Sequence, residues 1–344
     1  MRIFITGVDG YIGAVLVPML VAKGHEIVGL DTGFYRDGWL YSDPAHFAVF
    51  AKTLCKDLRT IQSRDLEGFD AVVHLAELSN DPLGENNPEI THEINHRGSI
   101  NLAEAAKSAG VTRFVYTSSC SVYGLATEDI VSEESEVNPQ TAYADCKVLV
   151  EQDLSKLADE AFCPVYLRNA TAYGPSPRMR FDIVLNNLVG LACTTGKIAM
   201  TSDGTPWRPL VHVEDICTAI SCALTAPVDA VYNSVFNVGC DEENYRVLEI
   251  AEFVGRAYPD CEITFGDSSG DNRSYRVNFE KITNGLPGFH CARRADQGAI
   301  ELRNRFQRIK LDAERFEFRA FTRLKQLEYL IETAQIDESF NWAS

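Results

Sequence analysis

A tyrosine and a lysine stand four residues apart in Tyr143-Ala144-Asp145-Cys146-Lys147, a spacing that puts them on one helix face, one turn above the other. A phenol in that position can serve as an acid/base. A neighbouring ammonium favours phenolate and draws the tyrosine pKa from its unperturbed ~10 toward the working pH. Upstream, Thr117-Ser118-Ser119-Cys120-Ser121-Val122-Tyr123-Gly124 sends a run of hydroxyls off the end of an apolar strand. Ser119 can hydrogen-bond a sugar hydroxyl or a ketone there. Taken alone, Tyr-x-x-x-Lys is a common pair on any exposed helix. Its weight comes from what surrounds it.

The elements that must position this pair begin at the first residues. Gly7-Val8-Asp9-Gly10-Tyr11-Ile12-Gly13 follows the apolar strand Ile3-Phe4-Ile5 and leads into the helical pattern Ala14-Val15-Leu16-Val17. Glycines suit a tight strand-to-helix turn whose backbone approaches a pyrophosphate and whose helix N-terminus faces the anion. The second strand, His25 to Leu30, ends in Asp31, 18 residues beyond Gly13. A carboxylate there accepts hydrogen bonds from an adenosine ribose and repels a 2′-phosphate, which selects NAD over NADP.

Further along, strand-like runs alternate with helix-like ones: Asp70-Leu75, a long helix from Glu89 to Ser108, Arg113-Thr117, a helix from Tyr143 to Ala158, and Val165-Arg168. This alternation predicts an α/β fold, a Rossmann-type doubly wound parallel sheet, over residues 1–174. Past Gly174 the texture becomes Pro- and Gly-rich with short elements. It reads as a smaller interleaved substrate-binding region (175–211 and 240–312), with a late return to the sheet around 212–239 at Val235-Val238. Leu324, Leu327, Leu330 and Ile331 then recur at helical spacing, so 313–344 reads as a helical extension docked on the body or on a neighbouring subunit.

Composition narrows the partners. A net charge of −17 over 344 residues argues against general affinity for nucleic acid or anionic membrane, which reward clustered Lys and Arg. The ten cysteines form no Cys-x-x-Cys pair or metal-ligand spacing and read as free thiols in a reducing compartment, with no metal site. Met1 runs straight into the first strand and no apolar run approaches the ~20 residues of a membrane span. The expectation is a soluble cytoplasmic protein.

With these motifs in this order, the chain resembles the extended short-chain dehydrogenase/reductases, in particular the NAD-dependent nucleotide-sugar epimerases and dehydratases of the UDP-galactose 4-epimerase type. The resemblance spans roughly Met1 to Phe306. It rests on Thr6-Gly7-x-x-Gly10-x-x-Gly13, Asp57-Leu58, His74-Leu75-Ala76, Asn95 with Gly98 and Asn101, the serine strand and Tyr143-x-x-x-Lys147. It implies NAD held by Gly7, Gly10, Tyr11, Ile12, Asp31, Asp57, Leu58, Leu75, Ala76, Asn95, Tyr143 and Lys147. Ser119 and Tyr143 would act at the reacting hydroxyl, with Lys147 on the nicotinamide ribose. Glu77 departs from the pattern, since the family keeps a small residue there.

On the substrate side, the resemblance places Arg208 and Arg273 at the diphosphate or ribose of a nucleotide-diphosphate sugar, a role that guanidinium forks suit. Ser176-Pro177-Arg178-Met179-Arg180-Phe181-Asp182 with Asn186 is similar to a branch acting on nucleotide-activated hexoses or heptoses. Arg180, Asn186, Ser121 and Thr171 are the further substrate candidates. A homodimer through the helices around Asn95 to Ser108 and Tyr143 to Ala158 is the family expectation.

The reaction is narrowed by what is missing. The related 4,6-dehydratases carry Asp-Glu where Cys120-Ser121 stands, the sugar-acid decarboxylases carry Glu at the Ser121 position, and the 3,5-epimerases carry a cysteine base there. Cys120 is one place off, and one residue along a strand turns the side chain to the other face. It is read as structural, as is His212. What remains needs only Ser, Tyr, Lys and cofactor: 4-epimerisation through a transient 4-ketosugar, with a one-way 4-dehydrogenase or ketoreductase as the alternative. A catalytically silent dinucleotide-binding protein is disfavoured because Tyr143 and Lys147 are both kept.

Overall fold

The computed structural model describes residues 1–42, 53–79, 87–266 and 274–343. In chain order the elements that carry the site are β1 (Arg2–Thr6), α1 (Gly13–Ala22), β2 (Glu26–Asp31), β3 (Thr53–Cys55), β4 (Ala71–His74), α2 (Gly98–Ser108), β5 (Arg113–Ser119) and α3 (Ala142–Lys156). There follow β6 (Cys163–Asn169), α4 (Val184–Thr195), α5 (Val213–Thr225), β7 (Ser234–Val238), α6 (Val247–Ala257), α7 (Ala295–Ile309) and α8 (Arg323–Glu332). The seven strands form one sheet in the order β7-β6-β5-β4-β1-β2-β3, and every neighbouring pair is parallel. This is the doubly wound sheet that the alternation predicts, and β7 is the late return.

Parallel strands are covered on both faces, so their residues are apolar on both faces. In β1 the side chains divide with period two. Ile3 and Ile5 pack with Leu16, Val17 and Leu20 of α1 and Ile216 and Ile220 of α5. Phe4 packs on the opposite face with Leu102, Ala103 and Ala106 of α2 and Val150 and Leu154 of α3. A second core joins α4, α6 and α7 through Leu188, Ile250, Val254, Leu302 and Phe306, and it hangs below the carboxyl edge of the sheet through the parallel pairing of Thr171–Tyr173 with Leu210–His212.

Two expected helices differ from the sequence pattern. The helix from Glu89 to Ser108 contains a π-helical stretch at His92–Arg97, a wider turn of the kind found at functional sites. The extension is helical over Ala313–Glu317, in a 3-10 turn at Arg319–Phe321 and over Arg323–Glu332, but not to its end. Beyond Glu332, Ala334 adopts φ +53°, and the Asp337 carboxylate gathers the backbone N–H groups of Ser339 and Asn341, turning the chain back so that Ile336 bridges Trp342. Leu327 and Leu330 close a small separate core with Phe34, Leu78, Ile90, Ile336 and Phe340. No helix among the described residues is long and apolar enough to cross a membrane.

A buried polar relay sets the end of β4. Ser99 Oγ donates to the Asn95 carbonyl, so it accepts from His74 Nε2–H at 2.7 Å. Nδ1 of His74 is therefore the bare nitrogen and accepts the Thr6 hydroxyl at 2.8 Å. The Thr6 oxygen in turn accepts the N–H groups of Leu75 and Ala76. Burial holds the imidazole pKa down at about 3, against ~6.5 when unfolded. Folding thus requires neutral His74, and the resulting stability is present above pH 6.5 and is lost as pH falls toward 3. Between pH 7 and 5 this one group should remove about 2 kcal/mol of unfolding free energy, 1.5 pH units at ~1.36 kcal/mol each. Denaturant titrations at the two pH values should show that loss, and His74→Gln should flatten it; an unchanged slope in the variant would assign it elsewhere.

Candidate active site

The turn after β1 is built for close approach by a ligand. A Cβ on Gly13 would lie 2.3 Å from the Gly7 carbonyl oxygen, and one on Gly7, whose φ is +74°, would lie 2.9 Å from the Ala76 nitrogen. No side chain fits at either position. Beside the turn opens a cavity. Gly7, Gly10, Tyr11, Ile12, Asp31, Asp57, Leu58, Leu75 and Ala76 line it, together with Phe34, Tyr35, Glu77, Arg180 and Arg323. Asp31 accepts the N–H groups of Asp9 at 3.0 Å and Gly33 at 2.8 Å. Its two oxygens retain lone pairs for a ribose diol. Glycine cradle, bare N-terminus of α1 and acidic strand end fit an adenine dinucleotide.

At the far end of the cavity, Glu77 meets Lys147. Thr141 caps α3 by accepting the Ala144 N–H, so Tyr143 starts the first turn and Lys147 points inward one turn later. The ammonium donates to the Thr117 carbonyl at 2.5 Å and pairs with Glu77 Oε2 at 2.5 Å, off the line of a hydrogen bond. It lies over the rings of Tyr116 and Tyr143, 4.7 and 5.4 Å from their centroids. Burial pulls the ammonium's pKa down, but the charges of Glu77 and Tyr143 overcome it and leave Lys147 above an ordinary lysine. Burial pushes the Glu77 carboxyl up, against the pull of Lys147. The other carboxylate oxygen accepts the Tyr116 hydroxyl at 2.7 Å.

The hydroxyl strand is anchored the same way. Ser118 donates to Glu151, which is held bidentate by Arg168. Ser119 ends β5 and accepts the Ser121 N–H at 3.1 Å. Ser121 Oγ is buried without a hydrogen-bond partner. Cys120 turns the other way, into the core, with its thiol on the Arg168 carbonyl, and burial pushes its pKa up.

Other expected residues have different surroundings. Asn95 does not line the cavity: its amide accepts from and donates to the backbone of Leu78 at 2.8 and 3.0 Å, fixing the loop that does. Arg180, expected beside the sugar, lines the dinucleotide cavity, paired with Asp182 and donating to the Ser79 carbonyl. Asn186 is fully buried and spends its side chain on Gly174, Tyr11 and Arg180. Arg178 pairs with Asp9 of the glycine turn and donates to the Tyr35 and Arg36 carbonyls, a structural clamp. Thr171 and Arg208 lie on neighbouring strands of a small sheet, where Thr171 pairs with Leu210 and Arg208 with Tyr245. His212 caps α5 by accepting the Glu214 N–H and faces Glu301, a structural role. Arg273 lies outside the described residues.

Sequence reasoning missed Arg323 and the Lys147 partner of Glu77. The unusual carboxylate at position 77 was a visible signal for the second. Nothing local marked the first. Among the described residues, no group of His, Cys, Asp or Glu is arranged to hold a metal ion.

Comparison with known proteins agrees with this geometry. The profile of the NAD dependent epimerase/dehydratase family matches residues 3–239. A UDP-glucose 4-epimerase of Mycolicibacterium smegmatis is 31% identical over 289 residues, 81% of this chain and 90% of the relative. Among solved structures, MoeE5 in complex with UDP-glucuronic acid and NAD is 25% identical with a TM-score of 0.74, covering 89% of this chain and 99% of that one. The NAD-dependent NDP-hexosamine 5,6-dehydratase TunA shares the fold, with a TM-score of 0.79 at 24% identity over 89% of this chain and 98% of that one.

Removing one partner of a buried ion pair strands the other. Glu77→Gln should therefore lower stability by about 3 kcal/mol. Adding Lys147→Met should recover about 2 kcal/mol of the summed single losses. Additive losses in urea unfolding of the four proteins would show that the two side chains do not depend on each other.

Proposed function

Because the chain belongs to the NAD-dependent epimerase/dehydratase family, we propose that it is a nucleotide-sugar 4-epimerase working through a transient 4-ketosugar. The observation that carries the reading is the end of β5. Ser119 and Ser121 present hydroxyls there, Cys120 is turned into the core, and neither position 120 nor 121 supplies a carboxylate for elimination or decarboxylation. UDP-hexoses are the first substrates to try, on the name of the mycobacterial relative.

Tyr143 as phenolate takes the proton of the C4 hydroxyl, and Ser119 hydrogen-bonds the same oxygen as it becomes a ketone. Lys147 keeps its charge through Glu77, favours the phenolate, and with one N–H donor used on the Thr117 carbonyl has another for the nicotinamide ribose. Bound NAD supplies the acceptor, then the donor, of the C4 hydride. Once the ketosugar has turned over, Tyr143 returns its proton to the oxygen now on the other side. Proton and hydride both come back, so nothing is consumed. Arg208 suits the substrate diphosphate, and the partnerless Ser121 hydroxyl suits the sugar.

NAD-loaded protein mixed with UDP-, dTDP-, GDP- and CDP-sugars should invert C4 of one of them, seen by NMR, without net NADH absorbance. Accumulating ketosugar and NADH would instead support the one-way dehydrogenase; loss of water would contradict the reading of positions 120 and 121. Tyr143→Phe should leave NAD bound and slow turnover by at least ~10²-fold, while Cys120→Ala should have a small effect.

A further inference from the structure

Arg323 opens α8 in the C-terminal extension, yet it lines the same cavity as Gly10, Tyr11, Ile12 and Arg180. It is 3% exposed and lies 4.0 Å from the centroid of the Tyr35 ring. Its guanidinium makes one hydrogen bond, a long one of 3.5 Å to the Ala320 carbonyl, and no carboxylate among the described residues stands within ion-pair distance. The acidic groups that feel its charge are committed elsewhere. Asp9 holds Arg178, Asp31 holds two backbone N–H groups, and Asp182 holds the Arg180 guanidinium while touching Arg323 only through its backbone N–H at 3.3 Å. Burial, reinforced by the charges of Arg180 and Arg178, brings the guanidinium pKa down to about 10 despite the opposing pull of Tyr35 and Asp182. A buried cation in this condition is short of an anion.

The rest of the cavity shows which anion. The N-terminus of α1 opens on it with no acidic residue in its first turn and no side-chain cap; the Ala14 and Val15 N–H groups are spent on the Gly10 and Ile12 carbonyls, so what the helix offers a phosphate is its dipole and the turn just before them. Arg323 lines the same cavity as that turn. The extension that carries it is tied to the cofactor side of the sheet. Trp342 donates to the Thr32 carbonyl just past β2, Gln326 donates to the Phe34 carbonyl, and Arg59 beside Asp57 reaches the Ser339 carbonyl. Arg36, near enough in sequence to approach the ribose at Asp31, is instead held over the Trp342 ring.

We propose that the C-terminal extension is part of the dinucleotide site and that Arg323 binds the pyrophosphate of NAD across the cavity from the glycine turn. The inference depends on the cofactor and not on which sugar reaction follows, so failure of the epimerase assay leaves it standing. Full-length protein stripped of cofactor is titrated calorimetrically with NAD⁺, ADP and adenosine. Arg323→Met should weaken NAD⁺ and ADP at least tenfold and leave adenosine unchanged, with Arg323→Lys recovering part of the loss. An equal loss for adenosine would reduce Arg323 to a structural role, and undiminished ADP binding would overturn the proposal outright. Adenosine affinity and the urea midpoint of each variant, measured beside the unaltered protein, separate a lost phosphate contact from a folding defect.

Discussion

Lys147 carries a full charge inside the protein, and much of the site follows from keeping it there. An unpaired buried ammonium is expensive enough that it would shed its proton. Here Glu77 in the loop after β4, the Thr117 carbonyl in β5 and the two tyrosine rings share the charge between them. That arrangement pins three elements at one point: the loop after β4, the end of β5 and the first turns of α3. Tyr143 and Ser119 are then fixed relative to one another as a consequence of where the lysine must sit.

The same device recurs along the carboxyl edge. Glu151 with Arg168 holds Ser118, and Asp9 with Arg178 holds the glycine turn to the loop after β2. Buried pairs of this kind add little net stability compared with apolar packing, because desolvation offsets the attraction. What they fix is position, and a hydride transfer is sensitive to position. In a chain with net charge −17, these few buried cations each face a carboxylate of their own. Arg323 differs in having no carboxylate of its own.

The fold and the outline of the site were legible in the sequence because their signals are local. The glycine turn, the acidic end of β2, the apolar strands and the four-residue spacing of Tyr143 and Lys147 each fit within one element or one turn. The contacts that set the chemistry join distant segments: Glu77 to Lys147, Asp9 to Arg178 across 169 residues, and Arg323 to Tyr35. Such pairs leave no periodic trace. Asn95 shows a different limit. Its place in the helix was readable, but which way its amide is used depends on the π-helical turn and on Leu78, and both are tertiary facts.

The proposed 4-epimerisation requires that hydrogen leave C4 and return to it, with Tyr143 as the acid/base and no carboxylate at positions 120 and 121. A nucleotide sugar bearing deuterium at C4 tests it directly. With UDP-glucose so labelled and NAD-loaded protein, NMR should find UDP-galactose with the deuterium still on C4, in the inverted configuration, and none released to solvent. Deuterium lodged in reduced cofactor beside a persistent ketosugar, or a product that has lost water, would contradict the account.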